Sequence, residues 1–450
     1  MPAGPLPGFR DFYPTELAER AFIFSKWRDV ARRYALVEID GPPLEALELY
    51  TKKSGDEIVG QLYEFEDKGK RRVALRPEMT PTVARMVAAR AQTLRKPVRW
   101  FSIPQLFRYE RQQRGRLREH YQLNVDIIGE SDVSVDAELL ACAIDMLRAC
   151  GLTKDDIVVR FSDRRVLNAV LLAREVPEPA SAAVYAVLDK FERQPESVSA
   201  EKLVAAGLTA AQASLLLADV RDSRGRGQMA GLISAEDREG QFMQAWNTVQ
   251  TFQTHVGSLL GDPPEDWLTF DLSIVRGLAY YTGLVFEIYD RRGELRAICG
   301  GGRYDSLLGA IGGVDLPALG FGMGDVVLTE LLRNKGLLPT HLHQLDYWIA
   351  PGADDPETRE AALSLTGRLR QCGCAAEYPL HTQTLSRQLK TAANAGARYV
   401  AIVHAPGGTH DVTLRELGDH SKTSGERDTP LSFAELIDHG RQHCRAAAAD

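Results

Sequence analysis

Apolar and polar residues alternate through the stretch from Phe107 to Gly129, and this pattern predicts two strands joined by an arginine-rich loop. The second strand carries three polar side chains on one face, opposite an apolar face: Gln122, Asn124 and Asp126. The first strand places Arg108 and Glu110 together on one face. A polar face beside a strand arginine suits a small polar ligand with a phosphate, but an ordinary solvated hairpin has the same pattern. This stretch alone leaves both interpretations open.

The segments before this hairpin predict further strands and helices. Apolar residues at helical spacing predict a helix over 15–34, and two strands joined by a tight turn are predicted over 62–75. In the sequence RPEMTP, Thr80 is a suitable helix cap and Pro81 fits the first helical turn. Glu78 therefore lies at a strand-to-helix junction, where a side chain can point into a cleft. Together with a strand at VRWFSI, these elements predict an antiparallel sheet flanked by helices.

The pattern changes twice after a predicted helix over 135–150. Aliphatic helical runs dominate from about residue 160 to residue 266, which predicts a helical insertion. A second hairpin begins near Leu284 and leads into three glycines, Gly300 to Gly302, which let a flat ligand approach the backbone closely. Most glycine runs are simply turns, so this run is a weak signal by itself. From residue 345 onward strands alternate with helices, which predicts a small α/β domain with a largely parallel or mixed sheet.

Composition excludes several classes of protein. The chain has 450 residues, too many for one ordinary core, and its 44% hydrophobic and 26% charged residues are typical of a globular protein in water. It has no apolar run that could span a membrane and no apolar signal core at its start, so we expect a cytoplasmic protein. Six cysteines form no disulfide framework. The net charge of −7 argues against a non-specific nucleic-acid coat, although a local basic patch can still grip a structured RNA.

Three stretches carry a resemblance to one family. FRYERQQRGRLREHYQLNVDIIG, RGLAYYTG and GGGRYD, in this order, resemble the signatures of histidyl-tRNA synthetases, and the resemblance covers nearly the whole chain. It implies an α+β fold, with a class II synthetase catalytic domain and its antiparallel sheet at residues 1–160 and 267–335, and the helical insertion at 161–266. A C-terminal α/β anticodon-binding domain is expected at 345–450. The stretch GPPLE resembles class II motif 1, which implies a homodimer.

The resemblance also implies a reaction in two steps. L-histidine and ATP give histidyl-adenylate and pyrophosphate, and the histidyl group then passes to the 3′ end of tRNA(His). Mg²⁺ enters with ATP, so no metal site of the protein's own is expected. Because charge builds on phosphate oxygens, preorganised arginines are the expected catalysts. Arg108 and Arg276 match these catalytic positions, and ATP contacts are expected from Arg108, Arg116 and Arg303.

The amino acid must be held by its ammonium group and distinguished by its ring. The positions that match the family's histidine pocket are Glu78, Met79, Thr80, Gln122, Asp126, Arg276, Tyr280 and Tyr281. Because imidazole presents one donor and one acceptor, we expect Asp126 to accept from one N–H. A hydroxyl of Tyr280 or Tyr281 is expected to serve the other nitrogen. The tip of the central loop is expected to face the acceptor end of the tRNA, through Gln112, Gln113 and Arg114.

One departure from the family pattern concerns ATP. In GFGMGDVVLTELL, Val327 stands where class II synthetases have an arginine that clamps ATP, and Arg303 is a candidate to take over that contact. The alternative function is therefore a non-catalytic relative, the synthetase-like regulatory subunit of ATP phosphoribosyltransferase, which keeps the fold and the histidine pocket. The C-terminal domain and the presence of Arg108, Arg276 and Glu78 favour the ligase.

Overall fold

The structure is a computed structural model that describes residues 4–51, 59–110, 117–224, 240–275, 281–339, 345–404, 411–417 and 428–446, without the side chains of 444–446. The chain divides into two compact units, Met1–Leu338 and Pro339–Asp450. Within the described ranges, no helix is both long enough and apolar enough to cross a lipid bilayer.

The first unit combines strands and helices along its whole length. Its strands are β1 (Val37–Glu38), β2 (Leu44–Ala46), β3 (Glu64–Glu66), β4 (Arg72–Leu75), β5 (Val98–Ser102), β6 (Gln105–Phe107), β7 (Glu119–Ile128), β8 (Ile157–Asp163), β9 (Leu268–Phe270), β10 (Leu284–Asp290), β11 (Cys299–Arg303) and β12 (Ala318–Gly324). Its α-helices are Pro14–Arg33, Glu48–Thr51, Thr80–Ala89, Val133–Ala149, Arg164–Ala173, Ser181–Leu188, Glu196–Ala205, Ala210–Asp222, Gln241–Leu260, Leu307–Gly312 and Asp325–Lys335. Three short 3₁₀ helices lie at Glu178–Ala180, Phe191–Arg193 and Pro264–Asp266.

Nine of these strands form one sheet in the order β1-β5-β7-β12-β11-β10-β8-β9, with β6 pairing to the start of β7. The central pairs from β5 to β8 are all antiparallel, and only the outer pairs β1–β5 and β8–β9 are parallel. The predicted antiparallel sheet with flanking helices is therefore confirmed. Strands β2, β4 and β3 form a separate three-stranded antiparallel sheet.

The two faces of β7 differ as its alternating sequence predicts. Leu123, Val125 and Ile127 are buried in the main hydrophobic core, under the helix Val133–Ala149. The opposite face is not solvated, because Asn124 and Asp126 are also buried. This burial rules out an ordinary solvent-facing hairpin for this end of the strand.

In its described residues, 164–224 and 240–267, the helical segment between β8 and β9 has no hydrophobic core separate from that of the sheet. Its apolar side chains belong to the same cluster as those of the sheet, and the helix Gln241–Leu260 packs against the helix Val133–Ala149. The ring of Phe252 on this helix also packs against Phe161 of β8, with centroids 5.3 Å apart, and both side chains are almost fully buried. The segment is thus helical as predicted, and it shares one hydrophobic core with the sheet.

Two predicted helix starts differ from the structure. The first helix begins at Pro14, with Tyr13 as its N-cap, one residue before the predicted start at residue 15. The helix Thr80–Ala89 has Met79 as its N-cap, without a side-chain capping bond. Proline in the first turn needs no amide donor, so both helices start without a capping side chain.

The second unit is an α/β fold around a mixed sheet. Its strands are β13 (Leu345–Pro351), β14 (Ala376–Glu377), β15 (Ala397–Val403), β16 (Val412–Glu416) and β17 (Asp428–Leu431), and its helices are Pro356–Gln371, Leu385–Asn394 and Phe433–Ala446. The strand order is β14-β13-β15-β16-β17, with parallel pairing at β13 and antiparallel pairing beyond β15. The predicted alternation and mixed sheet are confirmed.

Candidate active site

The polar face of β7 lies beside a row of glycines. In the register of the sheet, Gln122, Asn124 and Asp126 pair with Gly324, Gly322 and Gly320 of β12. Gly322 and Gly320 pair in turn with Gly300 and Gly302 of β11, and Gly300 pairs with Glu287 of β10. Directly paired residues of antiparallel strands present the same face. The sheet therefore has a trough, floored by these five glycines, with Glu287 on one side and the three polar residues of β7 on the other.

Side chains fill the space above some of these glycines. A Cβ atom on Gly322 would stand 1.9 Å from Nε2 of Gln122. A Cβ atom on Gly320 would stand 2.6 Å from the hydroxyl oxygen of Tyr304 and 3.0 Å from Oδ1 of Asp126. Gly324 differs, because nothing lies within 4 Å of the corresponding position. Glycine at 320 and 322 is thus what lets the polar side chains lie flat across the sheet.

A cavity of about 540 Å³ occupies much of this trough. Its lining includes Arg108, His120, Gln122, Glu287, Arg296 and Val327, together with Gly300, Gly322 and Gly324. This volume lies in the range of small-molecule sites and accommodates a nucleotide-sized ligand. The trough has a buried end, formed by Asp126, Tyr304 and Gly320, and an open end, formed by Arg193, Arg296 and Val327.

Two of the predicted residues lie close to each other, and one of them, Arg108, lines the cavity. Nε of Arg108 donates a hydrogen bond of 2.9 Å to the carbonyl oxygen of Pro77. The next residue is Glu78, whose side chain is buried at the strand-to-helix junction that the sequence predicts. The structure therefore brings the predicted phosphate ligand and the predicted ammonium ligand to neighbouring positions.

His120 lines the cavity and was not among the predicted site residues. Burial and the positive charges of Arg108 and Arg10 lower the pKa of His120 to about 3. The imidazole is therefore neutral at physiological pH and adds no charge to the site. A signal for it was present in the sequence, because His120 and Gln122 are two residues apart on one strand and so share a face.

The buried end is built around the carboxylate of Asp126. Burial raises the pKa of Asp126 to about 7, and a hydrogen bond donated by the Tyr304 hydroxyl opposes that shift. The ring of Tyr281 contacts the ring of Tyr304 edge-on, with centroids 6.3 Å apart. The sequence predicted Asp126 and Tyr281 in this pocket but missed Tyr304, although GGGRYD was one of the stretches that carried the family resemblance.

Arg303 does not take the place that the sequence prediction gave it. Its guanidinium forms a buried ion pair with both carboxylate oxygens of Asp136, and it also donates to the carbonyl oxygen of Glu130 at 3.1 Å. The reason is the alternation of side chains along β11. Since Gly300 and Gly302 face the trough, Arg303 faces the opposite side, where the helix Val133–Ala149 lies. The guanidinium of Arg303 is therefore engaged on the face of the sheet opposite to the trough, and the prediction that it contacts ATP is wrong.

The side chain of Met79, predicted to line the histidine pocket, is not available to contact a ligand. Its side chain is fully buried in an apolar cluster with Val83 and Val87 of the helix that follows. Only its backbone is left to contact a ligand. Thr80, at the first position of that helix, is partly exposed.

The open end carries cations that the sequence did not identify. Val327 lines the cavity, as do the exposed residues Arg193 and Arg296. The helix that bears Val327 is anchored by Asp325, which accepts from the guanidinium of Arg10 at 2.9 Å and from the backbone N–H of Tyr121 at 2.9 Å. Position 327 is therefore fixed at the cavity wall, with a valine where the family pattern has an arginine.

Several predicted residues lie outside the described residues. They are Gln112, Gln113, Arg114 and Arg116 of the central loop, and Arg276 and Tyr280 of RGLAYYTG. Val275, directly before Arg276 in the chain, lines the cavity. In the described part of the chain, no group of three or more histidine, cysteine, aspartate or glutamate side chains is arranged to hold a metal ion.

Comparisons with known proteins point in one direction. A family model described as histidyl-tRNA synthetase matches residues 8–325. The chain is 41% identical over 429 residues to the histidine–tRNA ligase of Opitutus terrae, covering 94% of this chain and 96% of that protein. It is 39% identical over 448 residues to the histidine–tRNA ligase of Haloarcula marismortui, covering 95% and 99% of the two chains.

Solved structures give the same fold. The crystal structure of histidyl-tRNA synthetase from a Nostoc species superposes with a TM-score of 0.81 at 23% identity, covering 98% of this chain and 99% of that chain. A structure from Bacillus halodurans described as an ATP phosphoribosyltransferase regulatory subunit/histidyl-tRNA synthetase superposes with a TM-score of 0.74 at 23% identity, covering 90% and 100%. At this level of identity the structural likeness establishes the fold, a class II catalytic domain with a C-terminal α/β domain.

Proposed function

The chain belongs to the histidyl-tRNA synthetase family and is a histidine–tRNA ligase, and we propose that the trough is where it joins histidine to ATP. The observation that carries this proposal is the register of β7, β12 and β11, which sets a buried polar row against five glycines. A flat polar ligand can lie on such a floor and meet hydrogen-bonding groups along one edge. Amino acid and nucleotide would then lie end to end along the trough.

Each chemical group of histidine has a partner in this arrangement. The ammonium group would bind the Glu78 carboxylate, with Thr80 and Gln122 beside it. The ring would enter the buried end, where Asp126 can accept its N–H. A wrong amino acid would leave the buried Asp126 carboxylate without a hydrogen bond from the ligand, with the Tyr304 hydroxyl as its remaining donor, and such a loss gives strong discrimination. The family resemblance assigns Tyr280 and Tyr281 to the other ring nitrogen.

The reaction requires stabilisation of charge at the α-phosphate of ATP. A carboxylate oxygen of histidine attacks the α-phosphorus, and pyrophosphate leaves with the electron pair of the broken P–O bond. Arg108, which donates to the carbonyl of Pro77 and lines the cavity, would donate to the phosphate oxygens, and Arg276 is the second proposed catalyst. Mg²⁺ would arrive with ATP. Arg116 and the two arginines of the open end are the proposed contacts for the outer phosphates.

The remaining assignments follow the family. We propose that Gln112, Gln113 and Arg114 face the acceptor end of tRNA(His), and that two chains form a homodimer through the motif 1 segment that contains Pro42. The catalytic domain would comprise 1–160 and 267–335, with the insertion at 161–266 and an anticodon-binding domain at 345–450. The expected compartment is the cytoplasm.

One specific observation favours a second candidate function. Val327 lines the cavity where the family pattern has the ATP-clamping arginine, and one of the similar folds is described as a phosphoribosyltransferase regulatory subunit/histidyl-tRNA synthetase. A regulatory subunit of that kind would bind histidine without activating it. The two functions therefore differ in one measurable step, the formation of the adenylate.

Histidine-dependent exchange between ATP and labelled pyrophosphate tests the proposal. The wild-type protein should exchange, and Arg108→Ala and Arg276→Ala should each lower the rate by about 100-fold or more, because each removes a donor from developing charge. Arg28→Ala is the matched control, since Arg28 forms an exposed ion pair with Glu38. An absence of exchange in the wild type, combined with stimulation of a phosphoribosyltransferase, would establish the regulatory function instead.

A further inference from the structure

Four charged side chains, two of each sign, fasten the helical insertion to the sheet. Glu192 and Arg224 belong to the insertion, the first on the 3₁₀ helix Phe191–Arg193 and the second after the helix Ala210–Asp222. Arg160 and Asp271 belong to the sheet, on β8 and directly after β9. Each arginine contacts both carboxylates. These four residues are called the charged junction.

The contacts within the charged junction are charge-assisted hydrogen bonds. The guanidinium of Arg160 donates to both carboxylate oxygens of Glu192, at 2.7 and 2.8 Å, and to Oδ2 of Asp271 at 2.7 Å. Arg224 forms one ion pair with Glu192 and another with Oδ2 of Asp271, at 2.9 Å. Burial raises the pKa of Glu192, but the hydrogen bond and the charge of Arg160 outweigh it and hold that pKa below its ordinary value. Glu192 is therefore ionised at neutral pH.

The charged junction joins two walls of the trough. Glu192 and Arg193 line the cavity from the insertion, and Ser273 lines it from the sheet. Oδ1 of Asp271 accepts from the backbone N–H of Ser273 at 2.9 Å and from its hydroxyl at 2.6 Å. Arg224 also donates to Oγ of Ser273, at 3.3 Å. The junction thus fixes how far the wall that carries Arg193 stands from the opposite wall.

We propose that Glu192 is a positioning residue for the nucleotide, which holds the insertion's wall of the open end in place through the charged junction. It acts through its neighbour Arg193, one of the proposed contacts for the outer phosphates. The inference rests on the proposed function, because it concerns how the proposed ATP site is held together. It also explains why a carboxylate stands in the wall of a phosphate site, where a like charge is otherwise repulsive.

The test is Glu192→Gln, which keeps the shape of the side chain and removes the charge that both arginines contact. If the junction positions the wall, the KM for ATP in pyrophosphate exchange at saturating histidine should rise about 10-fold, because substrate-positioning contacts are sensitive to small displacements. If Glu192 contributes only its charge to the site, the same variant should lower the KM for ATP, since a repulsive charge is gone. The KM for histidine should stay near the wild-type value.

Two control variants make the same change from carboxylate to amide. Asp189→Asn alters another acid of the same cavity wall that is not one of the four junction residues, and the KM for ATP should not rise. Asp219→Asn breaks a buried ion pair inside the insertion, where Arg174 donates to the two carboxylate oxygens at 2.7 and 3.0 Å. It should lower the melting temperature at least as much as Glu192→Gln, because Asp219 is the more buried acid, and leave the KM for ATP unchanged.

A double-mutant cycle shows whether Arg224 and Glu192 act through one contact. Arg224→Met alone should raise the KM for ATP, and adding it to Glu192→Gln should cost much less than it costs in the wild type. The KM does not depend on the fraction of folded enzyme, so a lower yield of any variant does not obscure the result.

Two results would overturn the inference. A KM for ATP that falls or stays unchanged in Glu192→Gln, with a loss of melting temperature alone, would make the junction an ordinary structural contact. Losses that simply multiply in the double mutant would mean that Arg224 acts independently of Glu192. Failure of the proposed function looks different, because the wild-type protein itself would then show no histidine-dependent exchange.

Discussion

The two ends of the trough solve different chemical problems with different kinds of residue. At the buried end, Asp126, Tyr304 and Gly320 come from the central sheet, and their positions follow from its register. At the open end, Arg193 and Arg296 are exposed, and Val327 is the apolar wall beside them. One end is buried, whereas the other carries the long side chains of exposed arginines.

This difference teaches how recognition is divided between the two substrates. An imidazole must be told apart from rings of similar size, which requires desolvated partners at fixed positions. The outer phosphates of ATP carry high charge, and long arginine side chains can reach them from several backbone positions. We therefore expect changes at the buried end to cost more than changes at the open end.

The largest expected effect comes from closing the floor of the trough. Gly322→Ala places a methyl group 1.9 Å from Nε2 of Gln122, so the amide end of Gln122 must shift from the position where it is proposed to hold histidine. A displacement of about 1 Å at a reacting substrate can cost about 100-fold, and we expect a loss of that order in kcat/KM for histidine. Steady-state exchange at varied histidine measures it.

Gly324→Ala is the comparison for this change, because it lies on the same strand and the same face and its added atom enters the cavity with nothing within 4 Å. Its loss of activity measures the cost of filling cavity space alone, and it should be smaller than the loss in Gly322→Ala, which also displaces Gln122. Equal losses in the two variants would mean that the strand tolerates no alanine at all, and that contact with Gln122 is not the cause.

A second effect follows from the ionisation of Asp126. Burial raises the pKa of this carboxyl to about 7, so in the empty enzyme it becomes protonated as pH falls below 7 and loses the charge that accepts the ring N–H. The KM for histidine should rise about tenfold between pH 8 and pH 6, which is the change in the ionised fraction of a group with that pKa. The KM for ATP over the same range is the internal control. A KM for histidine that stays flat, after correction for the ionisation of free histidine, would contradict the role of Asp126.

The sequence predicts the polar residues of β7 that share one face, but not the glycines of β12 that pair with them. Alternation along β7 is a local signal, and it correctly placed Gln122 and Asp126 on one face. The partner glycines at 320 and 322 are nearly two hundred residues away along the chain, and the register that joins the strands depends on the packing of the whole sheet. No pattern within either strand specifies that pairing.

The prediction for Arg303 failed for a related reason. Gly302 and Arg303 are consecutive residues of β11, so the sequence alone indicates that their side chains face opposite sides of the sheet. Arg303 therefore lies on the side away from the trough. What could not be read was its partner, since Asp136 lies on a helix far away in sequence that packs on the other face. Tyr304 was missed for a similar reason, because its contact with Asp126 crosses three strands.

A smaller effect is expected from removing a cation at the open end. Arg296 lines the cavity beyond the Gly324 row, and Arg296→Ala should raise the KM for ATP about fivefold, the size expected for one exposed charged contact. The KM for histidine should not change. Arg292→Ala is the matched control, because Arg292 is equally exposed four residues earlier and is not part of the cavity lining. If both variants behave alike, Arg296 makes no specific contact with the nucleotide.

The smallest effect is expected from restoring the family's arginine at the open end. Val327→Arg places a guanidinium at a position that Asp325 anchors through Arg10 and Tyr121, so the new charge enters the cavity from a fixed backbone. We expect the KM for ATP to fall about threefold, because a partly solvated pair contributes little, and the KM for histidine to stay the same. Val327→Met, which adds length without charge, separates electrostatics from volume. A rise in the KM for ATP in both variants would mean that the nucleotide already occupies the space beside Val327, so that this end is shaped for an apolar contact. In that case the buried end and the open end would differ in their exposure to solvent, but not in the use of charged groups to bind the nucleotide.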